Sequence, residues 1–142
     1  MRFLAPPTPA AATPSTTNGR ALFDSVGCSL CHTPALTTGN SGSPALRNQA
    51  VNLYSDLAVH NMGFGLADGV QQGDAGPLEF RTAPLWGLGQ RVFFLHDGRS
   101  KDLLETIRLH SGPLSEANNV VSQFNQLTAT QQQDILNFLR SL

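Results

Sequence analysis

The chain has 142 residues, of which 40% are hydrophobic and only 13% are charged. This length fits a single domain, and the charged share is about half of the roughly 25% usual in soluble globular proteins. The formal net charge of −1 argues against nucleic acid and anionic membranes as partners, because both require a basic surface. With 13 glycines and 9 prolines, the composition favours a loop-rich domain wrapped around a non-protein group.

The beginning of the chain predicts an arm followed by a helix. Residues 1–18 are rich in proline, alanine and threonine and show no packing pattern, which is typical of a linker or arm. The folded domain is therefore expected over residues 19–142. Asn18 is a candidate N-cap for a short first helix, whose apolar face is formed by Leu22, Phe23 and Val26.

The middle of the chain predicts long loops. Residues 33–50 are dominated by small polar residues, glycine and proline, and residues 61–90 are rich in glycine, which favours irregular backbone. Between these loops, one or two amphipathic turns are expected from Leu53, Tyr54, Leu57 and Ala58. No segment is convincing as a strand.

Two clearer helices are predicted in the last third of the chain. Ser100 is expected to cap a helix over residues 101–110, which places His110 on an apolar face together with Leu103, Leu104 and Ile107. A final helix begins after Thr128 or Thr130, and its apolar residues are Ile135, Leu136, Phe138, Leu139 and Leu142.

The motif Cys28-Ser29-Leu30-Cys31-His32 is the strongest functional signal in the sequence. Two thiols separated by two residues in a helical turn reach the two vinyl groups of one porphyrin and form thioethers. The histidine that follows them is placed under the iron. The sequence therefore predicts one covalently attached c-type haem, with His32 as its proximal ligand.

Two other uses of the paired cysteines are less consistent with the sequence. A thioredoxin-like dithiol belongs to a βαβ pattern, and no such pattern surrounds Cys28 and Cys31. A structural zinc site usually needs a second pair of ligands, and the other three histidines are not spaced as such a pair. The haem interpretation is therefore favoured over both.

Covalent haem attachment of this kind takes place outside the cytoplasm, so we expect a periplasmic or otherwise extracytoplasmic location. Residues 1–7 carry one positive charge but no sustained apolar stretch, which makes them a poor secretion signal. We therefore expect the chain to be a piece of a longer exported protein. The sequence has no run of about 18 apolar residues, so no membrane span is expected.

The sixth ligand of the iron decides the chemistry. A methionine raises the reduction potential, a second histidine lowers it, and an open position permits reaction with peroxide or O₂. Among the candidates His60, Met62, His96 and His110, His110 is distinguished by its place on an apolar helix face, because a buried imidazole needs a partner. Met62, in a glycine-rich loop, is the alternative.

Several blocks of the sequence resemble the di-haem oxidoreductase family, also called thiol oxidoreductases, which is related to the bacterial di-haem cytochrome c peroxidases. The similar blocks include the Arg81-Thr82-Ala83-Pro84 stretch and the His96-Asp97-Gly98-Arg99 stretch. They occupy residues 53–57, 60–69, 79–89, 95–99, 103–107 and 138–142. The resemblance extends over essentially the whole chain.

The resemblance implies that the chain corresponds to the C-terminal haem domain of such a protein. Family members carry an earlier domain with its own Cys-x-x-Cys-His motif, and the related peroxidases handle peroxide in that other half. Counted without gaps from His96, position 110 falls where the related peroxidases place an axial methionine, and a related cofactor-maturing enzyme a tyrosine. The resemblance therefore agrees with the residue argument, and we predict a bis-histidine iron with His32 and His110.

Three further residues are candidates for contacts around the haem. Arg81 is expected to pair with a haem propionate, although an exposed loop arginine explains it equally well. Trp86 is expected to line the haem edge or to face a second haem, with core packing as the alternative. Pro34 is expected to accept a hydrogen bond from the His32 imidazole through its carbonyl. The acidic residues show neither a catalytic pair nor a calcium-loop pattern.

Taken together, the sequence predicts a mostly α, cytochrome c-like domain with long Gly/Pro-rich loops, whose first and last helices lie near the haem edge. The predicted function is electron transfer through one haem, with a redox protein or a second haem domain as partner. One alternative is a peroxidase-like enzyme with an open distal haem site. Another is a stand-alone cytochrome in an electron-transfer assembly.

Overall fold

The computed structural model describes residues 7–142. This part of the chain contains four α-helices, α1 (Pro14–Ser25), α2 (Leu103–Leu109), α3 (Asn118–Gln126) and α4 (Ala129–Ser141). Its four short strands are β1 (Leu36–Thr37), β2 (Ala50–Val51), β3 (Val59–Asn61) and β4 (Glu79–Arg81). Single 3-10 turns lie at Cys28–Leu30, Pro44–Leu46 and Leu88–Gln90. Among these residues, no helix has both the length and the apolar character needed to cross a bilayer.

The strands form two separate antiparallel ribbons. β1 pairs with β2, with Leu36 opposite Val51. β3 pairs with β4, with His60 opposite Phe80. The expectation of no strand is therefore wrong. Strands of two or three residues are too short to show the alternation of apolar and polar residues by which a sequence reveals a strand.

Helix α1 begins earlier than the sequence predicted, inside the segment assigned to the arm. Its N-cap is Thr13, which forms a capping box with Thr16, and Pro14 occupies the first turn. Both features favour helix initiation. The cap satisfies free backbone N–H groups of the first turn, and proline has no backbone N–H that would need a partner there. Asn18, the predicted N-cap, lies within the helix, and its side-chain amide donates to the Asp134 carboxylate of α4.

Helices α1 and α4 cross at very short range. A Cβ atom at Gly19 would lie 1.9 Å from the backbone oxygen of Asp134, so only glycine allows this approach. The Ser15 hydroxyl and the Asn18 amide donate to the Asp134 carboxylate, and these hydrogen bonds lower its pKa. The predicted contact between the first and last helices is thus a backbone-to-backbone crossing.

The hydrophobic core fills the space beside this crossing. The rings of Phe23, Tyr54 and Phe138 contact one another edge to face, with centroids 5.4 to 6.3 Å apart. Ile135 and Phe124 are fully buried. The apolar face predicted for the last helix is confirmed, because Ile135, Phe138, Leu139 and Leu142 are all buried.

Helix α2 is shorter than predicted and has a different cap. Asp102 is the N-cap and accepts from the backbone N–H of Glu105. The predicted cap, Ser100, is buried and donates instead to the Glu105 carboxylate. His110 is the C-cap, directly after Leu103–Leu109. Helix α3 was not predicted, because its first turn has no side-chain cap and its residues are mostly poor helix formers.

The amphipathic turn predicted near Leu53 is wrong. Tyr54 and Leu57 have φ angles of 53° and 60°, which belong to the left-handed region and interrupt any right-handed helix. Leu53, Tyr54 and Ser55 are nevertheless buried. This segment is therefore an irregular but well-packed part of the core.

We expect Gly19→Ala to lower the free energy of unfolding by about 2 kcal/mol or more, since inserting a methyl group into a closed contact costs roughly 1–3 kcal/mol. Urea unfolding measures the loss. Gly39→Ala is the matched control, because nothing lies within 4 Å of a Cβ atom at that position. Equal stabilities of the two variants would contradict the close crossing of α1 and α4.

Candidate functional site

The Cys-x-x-Cys-His motif forms a single tight turn. Gly27 has a φ of 96°, a conformation that glycine adopts without strain, and it leads into the 3-10 turn Cys28–Leu30. The backbone N–H groups of Cys31 and His32 both donate to the Cys28 carbonyl. The two cysteines and the histidine therefore project from one turn, as the sequence predicted.

The His32 imidazole is partly buried and has a fixed protonation pattern. Its Nδ1 lies 3.0 Å from the Tyr54 carbonyl oxygen. A carbonyl only accepts, so Nδ1 carries the hydrogen and Nε2 keeps its lone pair. Burial lowers the pKa of His32 to about 4, although the Tyr54 carbonyl opposes this effect. The ring is therefore neutral at physiological pH.

The acceptor for His32 differs from the one predicted. Pro34 was expected to supply the carbonyl, but its oxygen accepts instead from the backbone N–H of Tyr54 at 3.3 Å. Tyr54 in turn accepts from His32. Pro34 thus acts on the imidazole indirectly: it accepts from Tyr54, and Tyr54 accepts from His32. Tyr54 makes these two hydrogen bonds with a left-handed backbone conformation, which the spacing of residues in the sequence does not reveal.

His110 has the same arrangement as His32. Its Nδ1 lies 2.7 Å from the Thr106 carbonyl oxygen, one turn earlier on α2, so Nδ1 donates and Nε2 keeps its lone pair. Burial lowers the pKa of His110, which keeps this ring neutral as well. The buried Ser115 hydroxyl donates to the His110 carbonyl and fixes the backbone of His110.

Both Nε2 atoms face accessible space. Neither has a hydrogen-bond partner within residues 7–142. In the same part of the chain no side-chain nitrogen or oxygen is both buried and unpartnered. Burial is the main cause of the lowered pKa of His32, and the Tyr54 carbonyl opposes it. A positive charge on His110 lowers this pKa further.

The cysteine thiols are unsuited to thiolate chemistry. Burial raises the pKa of Cys28 to about 12. Burial and the nearby carboxylates of Asp56 and Glu116 also raise the pKa of Cys31. The two cysteines are not joined by a disulfide. A reactive dithiol needs an accessible thiolate, so the raised pKa values of Cys28 and Cys31 argue against that alternative to haem attachment.

A second cluster of ionisable groups lies beside Cys31. His60 Nε2 is 2.9 Å from an Asp56 oxygen, and His60 Nδ1 is 2.9 Å from a Glu116 oxygen. Both carboxylates only accept, so the imidazole carries a hydrogen on each nitrogen and is a cation. The contacts with Glu116 and Asp56 raise the pKa of His60. We name Asp56, His60 and Glu116 the charged bridge.

Two residues of the charged bridge, Asp56 and His60, together with Cys31 have the residue types of a metal site. Ligand atoms of Cys31, Asp56 and His60 lie within 4.8 Å of one another. However, both ring nitrogens of His60 already donate to carboxylates, and the pKa of Cys31 is raised. A metal ion would have to displace one of these charge-assisted hydrogen bonds and two protons, one from the His60 nitrogen that it binds and one from the Cys31 thiol. The arrangement therefore favours ion pairing over metal binding.

Arg81, Trp86 and Met62 are the other residues that the sequence predicted near the haem. Arg81 is exposed on β4, beside a surface cavity of about 240 Å³ that Asp68 and Glu79 also line. It forms no ion pair within residues 7–142. Trp86 is half-buried. Met62 is half-buried and directly follows β3, where its backbone N–H donates to the Leu78 carbonyl.

His96 belongs to a separate group. Its ring stacks on Phe80 with centroids 4.4 Å apart, and Nε2 lies 3.8 Å from the Asp68 carboxylate. These contacts explain His96 without iron.

The groups that orient the two imidazoles were not predicted from the sequence. These groups are the backbone carbonyls of Tyr54 and Thr106, the Ser115 hydroxyl and the charged bridge. Only Thr106 had a local signal, since it lies four residues before His110 on a predicted helix, at the spacing where side chain and carbonyl meet. The Tyr54 carbonyl and the Glu116 carboxylate come together with His32 and His60 through tertiary structure.

A family model described as "Di-haem oxidoreductase, putative peroxidase" matches residues 2–142. The chain belongs to the di-haem oxidoreductase family. A search of curated proteins found no match. Membership of this family agrees with haem binding and a haem-based redox function. The donor set described above also fits haem, because the Cys-x-x-Cys-His turn supplies two thiols and one neutral imidazole, and His110 supplies a second neutral imidazole with a free Nε2.

Solved structures share the fold of this di-haem oxidoreductase chain. Hydrazine synthase from Kuenenia stuttgartiensis, studied under xenon pressure, aligns with a TM-score of 0.62 and 20% identity over 99% of this chain. A MauG-like protein associated with microbial copper homeostasis aligns with a TM-score of 0.55 and 24% identity over 94% of it. The chain spans about half of each, 52% and 45% respectively.

The charged bridge predicts a pH dependence of stability. The pKa of His60 is raised above its ordinary 6.5, so its contribution is complete below that value and is lost as pH rises through the folded-state pKa. We therefore expect the stability lost in His60→Gln to be largest below pH 6.5 and to shrink as the pH rises through the raised folded-state pKa of His60.

Urea unfolding of the wild type and the variant at a series of pH values measures this difference. His96→Gln is the matched control, since the His96 ring stacks on Phe80 and lies at a longer 3.8 Å from the Asp68 carboxylate. A His60→Gln difference that stays constant with pH would show that His60 is not held as a cation.

Proposed function

We propose that this chain holds one covalently attached c-type haem and transfers electrons through it. Cys28 and Cys31 would hold the haem through thioether bonds, and His32 and His110 would bind its iron. The observation that carries this proposal is the matched pair of imidazoles. Each donates from Nδ1 to a backbone carbonyl and leaves Nε2 free toward accessible space.

The protein environment favours iron ligation by both rings. A hydrogen bond from Nδ1 to a carbonyl fixes the tautomer and makes Nε2 a better electron donor. Burial lowers the pKa of both imidazoles, so protons compete weakly with a metal for Nε2. Haem contributes a reversible one-electron change at iron, and two imidazole ligands favour a low reduction potential.

Electron transfer is favoured over peroxidase chemistry because of His110. Peroxide needs an open position on the iron, whereas His110 is held by the Thr106 carbonyl and by Ser115. Met62 is the rival sixth ligand, but its half-buried loop position lacks a comparable support. A peroxidase-like site therefore requires His110 to leave.

We propose further that the chain is the C-terminal module of a longer di-haem protein. The family description names two haems, and the chain contains one Cys-x-x-Cys-His motif. A second haem domain or a redox protein is then its electron partner, and an extracytoplasmic location follows from covalent haem attachment. A stand-alone cytochrome in a larger assembly is the alternative. Arg81 and Trp86 are proposed to contact the haem periphery.

Covalent attachment is tested with the chain produced together with a c-type haem maturation system. We expect a single haem per chain that resists acid–acetone extraction and adds one haem mass to the polypeptide. The double variant Cys28→Ala/Cys31→Ala is expected to lose both properties. Extractable haem in the wild type, or zinc in its place, would overturn the cofactor assignment.

The sixth ligand is tested by two matched substitutions. We expect His110→Ala to convert the ferric haem from a low-spin to a high-spin optical and EPR spectrum, because the sixth ligand is removed. Met62→Ala is expected to leave the low-spin spectrum intact. The reverse result, together with a methionine–iron charge-transfer band in the wild type, would show that Met62 is the ligand.

A further inference from the structure

The charged bridge connects two parts of the chain that are far apart in sequence. Asp56 and His60 flank the start of β3, whereas Glu116 follows α2 after a loop. Glu116 makes three contacts with the β3 segment. Its carboxylate accepts from His60 and from the backbone N–H of Asn61, and its own N–H donates to the Asn61 carbonyl. The imidazole of His60 is thus the side chain that joins both carboxylates.

One end of the charged bridge belongs to the segment that orients His32. The backbone N–H of Asp56 donates to the Cys31 carbonyl at 2.9 Å, directly beside the ligand turn. Two residues earlier, the Tyr54 carbonyl accepts from His32 Nδ1. Residues 54–56 therefore hold both the backbone and the ring of the first histidine.

The other end belongs to the segment that orients His110. Ser115, the neighbour of Glu116, is buried and donates from its hydroxyl to the His110 carbonyl. The loop between His110 and Ser115 lies against Gly63, where a Cβ atom would be 2.4 Å from the Pro113 carbonyl oxygen. Residues 115–116 therefore fix the backbone of the second histidine.

We propose that His60 is a positioning residue for the iron site, because its hydrogen bonds to Asp56 and Glu116 hold together the two segments that orient His32 and His110. This inference rests on the proposed bis-histidine haem. It assigns His60 a role outside the iron's ligands: the imidazolium limits how far the His110 segment moves away from the Cys-x-x-Cys-His turn.

The size of the effect follows from the exposure of the three groups. The side chains of His60 and Asp56 are about one-fifth exposed, at 20% and 22%, whereas Glu116 is 55% exposed. Exposed ion pairs are weak because water screens them, but two charge-assisted hydrogen bonds on one ring are stronger than an isolated pair. The bridge therefore tunes how often His110 leaves the iron and is not essential for folding.

The rate at which cyanide binds to the ferric haem measures this departure, since cyanide takes the position that His110 vacates. We expect His60→Gln to accelerate cyanide binding by about fivefold, because neutral glutamine cannot donate charge-assisted hydrogen bonds to both carboxylates. His60→Arg keeps a cation with several donors in a planar fork and is expected to stay near the wild-type rate.

A double-mutant cycle with Glu116→Gln tests whether His60 acts through the charged bridge. If it does, His60→Gln and Glu116→Gln together accelerate cyanide binding little more than either alone, because the second substitution finds the bridge already broken. This double-mutant cycle does not depend on His60→Arg, so it still tests the proposal if an arginine side chain does not fit between Asp56 and Glu116. Effects that simply multiply would overturn the proposal.

Two control variants separate positioning from general destabilisation. Asp134→Asn weakens the distant α1–α4 contact, and His96→Gln removes a histidine outside the charged bridge. Both are expected to leave the cyanide rate unchanged, even where thermal unfolding shows lower stability. Acceleration by Asp134→Asn equal to that by His60→Gln would contradict a specific role for His60.

The wild-type spectrum separates this inference from the proposed function. A wild-type ferric haem that is high-spin, or ligated by Met62, would remove the bis-histidine site and with it the role of His60. A low-spin bis-histidine haem whose cyanide rate is the same in the wild type and in His60→Gln would leave the proposed function intact and overturn only the positioning role.

Discussion

The hydrogen bond from His32 to the Tyr54 carbonyl is the contact on which the architecture around the site depends. It requires Tyr54 to turn its carbonyl toward the ligand turn while its ring stays in the core against Phe23 and Phe138. A left-handed backbone at Tyr54 satisfies both demands, at a strain of roughly 1 kcal/mol or more that the surrounding packing offsets. The core and the site are therefore built on the same residue.

The second imidazole is held by a different structural device. His110 ends α2, so its ring bonds to a carbonyl of its own helix and needs no partner from the core. Its exact placement instead depends on the loop that follows, through Ser115 and the charged bridge. One imidazole is thus anchored by the core and the other by a helix end and a loop. This difference explains why His110 is the ligand more easily displaced in our proposal.

The short-range features of the site could be predicted from the sequence. The Cys28–His32 motif, the apolar face that carries His110 and the buried face of α4 all follow from local spacing, and the structure shows a turn or a helix at each. The start of α1 was also encoded locally, in the Thr13–Thr16 capping box. The proline-rich composition around it favoured an arm instead, so the helix was placed too late.

Other features could not be predicted, because they join segments that are distant in sequence. The carbonyl that accepts from His32 lies 22 residues away, and the Glu116 carboxylate lies 56 residues from His60. The periodicity of apolar residues predicts local secondary structure and cannot predict contacts between such distant residues. The two left-handed residues near β3 and the closed contact at Gly19 are likewise consequences of packing.

The sequence by itself determined which side chains are available for a haem and iron: two cysteines and a histidine in one turn, and a second histidine at the end of a helix. Local spacing is sufficient for this, since the positions within a turn are fixed by backbone geometry. Only the tertiary structure decided how the two imidazoles are aimed and held. Their orientation depends on backbone carbonyls and charged groups that the packing of α1, α4 and the irregular segments brings into contact.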